Sequence, residues 1–312
     1  MLPVISGFTH EQNIKSVSAT MKTYIDCMPC FIRQALESVK LITDDEIIQE
    51  QVVRHVLMMA ANLNVSQSPP ALGQQIHRLI RKLSGIEDPY RELKQRFNRL
   101  AVQMSAEFKR SISSSEKPLE AAVRLAITGN IIDLGLKTSL TESDVDRILK
   151  TCLTADFDSS QMDEFENSIK NAARILYLAD NAGEIVFDRL LIERLPLEKV
   201  TVAVRGKPVI NDATMEDAEF AGLTEIVEVI DNGSDAPGTI LESCSKEFQH
   251  RFEEADLIIA KGQGNYETLS ETDKNIFYIL KAKCPVIARD LGCEIGKMIL
   301  RKGNNSRILQ KG

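Results

Sequence analysis

The stretch RILYLADNAGEIVFDRLLIERLPLEKVTVAVRGKPVINDAT, residues 174–214, decides the fold. Two short β-rich runs, ILYLA at 175–179 and VTVAV at 200–204, are joined by a helical segment, and each ends in a loop crowded with Asp, Asn and Gly. Three more runs continue the pattern: EIVEVI at 225–230, DLIIA at 256–260 and PVIA at 285–288. Strands this uniformly apolar are buried on both faces, and their alternation with helical segments builds βαβ units. The C-terminal half therefore reads as a Rossmann-like α/β domain, a mainly parallel sheet with helices on both faces.

Upstream, to about residue 172, the apolar spacing is helical, and strand runs bounded by Gly or Asn are missing. Phe31, Ile32, Ala35, Leu36 and Val39 form one stripe. Leu72, Ile76, Leu79, Ile80 and Leu83 form another, opened by Pro69-Pro70 and closed by Gly85. Asp88-Pro89 opens a long polar helix, and Thr141 to Asp144 reads as an N-cap with acidic first-turn residues. The organisation expected is a poorly ordered leader at 1–20, an all-α domain at 21–172 and the α/β domain at 173–312. The boundary falls in the polar stretch 156–171.

Composition narrows the function. The 312 residues carry a formal charge of −7, so no basic surface dominates and nucleic acid is disfavoured as a partner. No run approaches the eighteen apolar residues of a membrane span, and the leader lacks the pattern of a secretory signal. Six unevenly spaced cysteines do not make a disulfide framework, which points to a reducing, cytoplasmic setting. Oligomeric state has no signature in the sequence.

Ligands of open parallel sheets bind beyond the carboxyl ends of the strands, so the loops there carry the candidate site. Asp180 and Asn181 after the first strand, with Asp212 after the second, form a hard oxygen-donor set suited to Mg²⁺ or Mn²⁺. Taken singly, each is also a favoured helix cap. Lys261-Gly262-Gln263-Gly264-Asn265 offers a cation and backbone N–H groups that an anion can approach, a phosphate cradle. It is neither a dinucleotide fingerprint nor a Walker A loop. Arg205, Lys207 and Asn211 add further contacts for an anionic substrate. Cys27-Met28-Pro29-Cys30 opens a helix whose N-terminus lowers thiol pKa, but no second CxxC follows. The pair reads as structural or auxiliary. His10, His55, His77 and His250 are scattered, with no metal-binding or triad spacing.

Together, DNAGE at 180–184, GKPVINDAT at 206–214, SDAPG at 234–238 and KGQGNYE at 261–267 resemble the damage-control phosphatase family, the ARMT-one-like proteins once catalogued as domain of unknown function 89. DCMPC at 26–30, Pro69-Pro70, DPY at 88–90 and GNIIDLG at 129–135 look like its prokaryotic CxxC-bearing branch. The resemblance runs from Met21 to about Gly296. It implies a helical domain beside a Rossmann-like domain, and hydrolysis of small phosphorylated metabolites, including sugar phosphates, with Mn²⁺, Co²⁺, Ni²⁺ or Mg²⁺. Carried over by motif, the metal ligands are Asp180, Asn181 and Asp212, and the phosphate-contacting lysine is Lys261. The attacking group is then a metal-polarised water, the reading preferred here, or a carboxylate. Two rival classes fit the same strand pattern. One is an S-adenosylmethionine- or nucleotide-binding methyltransferase, which the single glycine and paired Asp-Asn of the first loop argue against. The other is a non-catalytic metabolite-binding protein or a redox carrier using Cys27 and Cys30.

Overall fold

The computed structural model describes residues 21–128 and 141–303; the leader at 1–20 and the GNIIDLG string lie outside the described residues. Helices α1 (Met28–Ile42), α2 (Glu46–Ala61) and α3 (Pro69–Ser84) enclose a small core of their own, built on Phe31, Ala35, Val39, Val52, Val56, Leu72, Ile76 and Ile80. Pro69 and Pro70 occupy the first turn of α3, where an amide hydrogen would be unpartnered anyway. Gly85 ends the helix in the left-handed region at φ 71°.

Next come α4 (Arg91–Ser114), α5 (Pro118–Thr128), α6 (Glu142–Thr154), the two-residue strand β1 (Phe157–Asp158) and α7 (Met162–Asn171). Thr141 and Asp144 close a capping box at the start of α6, as expected. The all-helical reading of the first half misses β1, which pairs with the last strand, β7 (Met298–Lys302). Two different cores draw on the helices of the first half. Leu100, Met104 and Phe108 of α4 and Leu125 of α5 belong to the same buried cluster as strand residues Tyr177, Val202 and Ile259. Phe108 stacks on Phe187 at 4.9 Å between ring centroids, so α4 and α5 form a layer of the α/β unit.

The sheet contains β2 (Ile175–Leu178), β3 (Val200–Val204), β4 (Glu228–Asp231), β5 (Leu257–Lys261) and β6 (Ile276–Lys281), with spatial order β1-β7-β6-β5-β2-β3-β4. Every neighbouring pair is parallel except β6 and β7. Alternate strand residues face opposite layers. Ile175, Tyr177, Val202 and Ile259 meet α4, α5 and α8 (Glu184–Ile192), while Leu176, Leu178, Ile258 and Ala260 meet α10 (Lys246–Glu254), α11 (Gly262–Leu269) and α12 (Pro285–Leu291).

Two strand readings need correction. PVIA at 285–288 is the start of α12, because Pro285 fixes φ and has no amide hydrogen to give a central strand. The strand is IFYILK at 276–281, an aromatic and β-branched run buried along almost its whole length. The third run is also shorter than EIVEVI: residues 223–225 form a 3₁₀ turn, and β4 is a half-exposed edge strand.

The chain passes from β2 to β3 and β4 on one side, then returns to β5 and β6 on the other. Neighbouring β2 and β5 therefore send their following helices to opposite faces. A crevice opens there at the carboxyl edge, the usual ligand position in this architecture.

Candidate active site

In-register pairing aligns the strand ends: Leu178 lies opposite Ala203 on β3 and Ala260 on β5. Asp180 and Asn181, Arg205, and Lys261 consequently emerge side by side. The loops after β2 and β3 are laced together, with the Ala213 amide donating to the Asp180 carbonyl at 2.8 Å and the Ala182 amide to the Asn211 carbonyl at 2.9 Å. Isolated bridge pairing sets Asn181 against Asp212. Ile210, just before these residues, is the non-glycine residue held at positive φ (44°) among the described residues, local strain at the turn that delivers Asp212. Across the crevice Gly262 lies so close to Asp180 that a Cβ there would fall 1.9 Å from Oδ2. Only glycine permits that approach at its φ of 77°.

The three expected metal ligands are brought together and buried. The Asn181 amide donates to Asp180 Oδ2 at 2.6 Å and to Glu184 Oε2 at 3.1 Å. Arg205 is buried and donates from Nε to Asp212 Oδ2 at 2.7 Å, bracing the carboxylate. Asn265 serves as a hub: its amide donates to the Lys261 carbonyl at 2.7 Å and its oxygen accepts from Thr239 at 2.8 Å. Gly264 packs on Pro237 and Gly238, which fixes the loop after β4 against the start of α11. Lys207 is exposed, and the described contact of Asn211 to this loop is its backbone carbonyl.

Lys261 is engaged inside the protein. Its ammonium is fully buried, pairing with Glu184 and Asp188 at 2.5 Å each and donating to the Ala126 carbonyl at 2.9 Å. All three of its hydrogens are thus committed. Burial opposes this charge, yet Asp188 and Glu184 hold its pKa above the ordinary lysine value. A different lysine, Lys283, lies exposed in the turn between β6 and α12, and its charge reaches Asp180. With the fifth strand expected at 285–288, this turn precedes a strand instead of following one, so its residues fall outside the expected edge loops. Glu184 and Asp188 were also missed as site residues. Their signal is a pair of carboxylates four apart in EIVFDRLLI, apolar elsewhere except for Arg189, a spacing that sets both on one helix face.

The electrostatics of the crevice favour a cation. Four buried carboxylates (Asp180, Glu184, Asp188 and Asp212) share two buried cations, Lys261 and Arg205. Burial, reinforced by the charges of Glu184 and Asp212, pushes the Asp180 carboxyl up to about 8 against the pull of Lys283 and Arg205. Burial also raises Asp212, against Arg205. Asp180 is crowded by the like charges of Glu184 and Asp212, and such repulsion between hard oxygen donors is what a divalent ion relieves. Asp180, Asn181 and Asp212 fit such an ion, although among the described residues no three His, Cys, Asp or Glu side chains are grouped for metal binding. The candidate set has two carboxylates and an amide.

Cys27 is half-buried and Cys30 exposed at the start of α1. Burial raises the Cys27 thiol, with charge contributions from Glu267, Cys284 and Cys30. Cys27 and Cys284 pack against the same apolar cluster, which places the CxxC pair beside the turn that carries Lys283.

A model of the damage-control phosphatase ARMT1-like domain matches residues 23–299. This chain belongs to that family. Damage-control phosphatase PH1575 of Pyrococcus horikoshii is 38% identical over 286 residues, covering 89% of this chain and 97% of its relative. A damage-control phosphatase of Archaeoglobus fulgidus is 37% identical over 282 residues, with 88% and 97% coverage. The uncharacterized protein MJ0202 of Methanocaldococcus jannaschii is 38% identical over 301 residues, with 93% and 98% coverage. The crystal structure of PH1575, described as a DUF89 family protein, superposes with a TM-score of 0.83 at 34% identity, covering 91% of this chain and all of that one. Membership in the damage-control phosphatase family makes the chain a phosphatase and sets aside the methyltransferase reading. Among the described residues no helix is long and apolar enough to cross a membrane.

Proposed function

We propose that this damage-control phosphatase hydrolyses phosphomonoesters of small metabolites, sugar phosphates among them, with one divalent cation at Asp180, Asn181 and Asp212. The observation that carries the reading is the gathering of three buried hard oxygen donors, Asp180, Asn181 and Asp212, at the sheet's switch point. A bound Mn²⁺, Mg²⁺, Co²⁺ or Ni²⁺ would supply Lewis-acid neutralisation of phosphoryl oxygens and polarise water. The protein supplies position and charge. Arg205 fixes the Asp212 carboxylate, and Asn181 orients Asp180 through its amide. Lys283, exposed and with a charge felt at Asp180, would be the cation for the remaining phosphoryl oxygens, together with backbone N–H groups at the start of α11. Lys261 stays a structural counter-ion that holds Glu184 and Asp188 in place. A water in line with the leaving oxygen attacks phosphorus as the bond to that oxygen breaks, and the proton the water gives up passes to the departing alkoxide, which leaves as the alcohol.

Steady-state kinetics of Lys283→Ala on a panel of sugar phosphates and an aryl phosphate tests the phosphate contact. Losing one charge-assisted contact is expected to cut kcat/KM by about 10²- to 10³-fold. Kinetics unchanged from the parent protein would return the role to another cation.

A further inference from the structure

Both ligand loops are tied to the helical layer at one buried side chain. Asn98, on α4, accepts a hydrogen bond from the Gly183 amide at 2.6 Å and donates from Nδ2 to Asp217 Oδ1 at 2.8 Å. Gly183 ends the loop that starts with Asp180 and Asn181, and serves as N-cap of α8 at φ 76°. Asp217 stands five residues beyond Asp212, in the first turn of α9 (Met215–Phe220), where its other oxygen accepts from the Thr214 amide and hydroxyl at 2.9 Å. One turn before Asn98, buried Lys94 pairs with the same Asp217 at 3.3 Å and with Asp88 at 3.0 Å. Phe97 packs so tightly on Gly183 that a Cβ there would lie 2.9 Å from the phenylalanine Cβ. The buried polar contacts tying these two turns to α4 come from Lys94 and Asn98, one helical turn apart, while Arg91 and Gln95 add an exposed contact to Glu216.

We propose that Asn98 is a positioning residue of the candidate metal site: its carboxamide bridges the two turns and sets the spacing between Asp180-Asn181 and Asp212. The inference rests on the metal-site reading above. The chemistry at this position is specific. One atom must accept from a backbone N–H while the other donates to a carboxylate, a combination that Leu, Ser and Asp do not provide. Aspartate would keep the Gly183 contact but set a carboxylate against that of Asp217. Alanine would leave a buried N–H and part of a buried carboxylate without partners. Outer contacts that orient metal ligands typically carry 10- to 100-fold in affinity or activity.

The test uses the full chain and two independent readouts. In metal-free protein, the Gly183 amide is expected to exchange with solvent at least about 10-fold faster in Asn98→Ala than in the parent, followed by NMR. Mn²⁺ titration by electron paramagnetic resonance is expected to show about 10- to 100-fold weaker binding in Asn98→Ala, and still weaker binding than the parent in Asn98→Asp. Ser38→Ala is the control for general destabilisation, because it removes the buried hydrogen bond from Tyr90 that ties the start of α4 to α1 without touching either turn. It is expected to lower the melting temperature and keep parental Mn²⁺ affinity. Parental Gly183 exchange in Asn98→Ala overturns the proposal, as does faster exchange with parental Mn²⁺ affinity. Equal loss of Mn²⁺ affinity in Ser38→Ala overturns it too, since the loss would then be global. If the parent itself binds no Mn²⁺, the metal-site reading falls and takes the positioning role with it; the exchange result then still records whether Asn98 tethers the turn.

Discussion

Gly262 and Lys261 show how adjacent residues at one strand end divide the labour. Gly262 lets β5 pass against the Asp180 carboxylate, and a methyl group there would overlap Oδ2. Gly262→Ala should keep the fold, as followed by circular dichroism, while phosphate release falls by about 100-fold or more, the scale of a roughly 1 Å displacement of reacting groups. Parental turnover in that variant would mean Asp180 is not held in a fixed place. Lys261→Met acts on stability instead. It leaves Glu184 and Asp188 buried without their cation, a change that typically costs about 3–5 kcal/mol. Urea denaturation measures it, and unchanged stability would contradict the counter-ion role. The sequence around 261 shows a lysine followed by two glycines, a pattern shared by a phosphate cradle and by this arrangement. What separates them is the pair of carboxylates on α8, more than seventy residues earlier, and single-sequence spacing carries no trace of that contact.

At the level of elements, the helix ends and central strands were readable because their signals are local. Pro69-Pro70 and Gly85 bracket α3, and the runs at 175–179, 200–204 and 256–260 are strands within a residue or two. PVIA failed for an equally local reason, since proline at its first position favours a helix start, and the error hid Lys283. β1 was illegible because two residues carry no periodicity; its pairing with β7 defines it. The α3 helix also holds a buried titratable group, His77. Burial, with the nearby charge of Arg81, lowers His77 to about 4 from its ordinary 6.5, and Nε2 has no hydrogen-bond partner. Because the folded pKa is depressed, His77 adds no penalty above pH 6.5, and stability is lost as pH falls from 6.5 toward 4. The loss is about 3 kcal/mol at roughly 1.4 kcal/mol per pH unit. Urea denaturation at pH 7 and pH 4.5 should show a smaller acid loss in His77→Gln than in the parent. An identical loss in both would assign the acid sensitivity elsewhere.

On the scale of the whole molecule, the helical segments divide into two structural roles. Helices α1 to α3 carry their own core, yet α3 reaches the sheet through Gln74, Arg78 and Arg81, which all bond Asp235 in the loop after β4. Burial opposes the Asp235 charge, but hydrogen bonds from Arg78 and Gln74 and the charges of Arg78 and Arg81 hold its carboxyl down at about 2. Helix α4 reaches the ligand turns through Lys94 and Asn98. The DPY string before α4 was legible as part of a family pattern, whereas the role of Asn98 needed the packing of α4 on α8 and α9. All of these contacts converge on one claim, that the carboxyl edge between β2 and β5 is a divalent-cation site serving phosphomonoester hydrolysis. The most direct test is phosphate release by chelated protein as Mn²⁺, Co²⁺, Ni²⁺ or Mg²⁺ is returned, in the parent and in Asp212→Ala. Release is expected to be restored by at least one ion in the parent and lost in Asp212→Ala at every ion concentration. Phosphate release that is indifferent to chelation, or full metal-restored activity in Asp212→Ala, would contradict it.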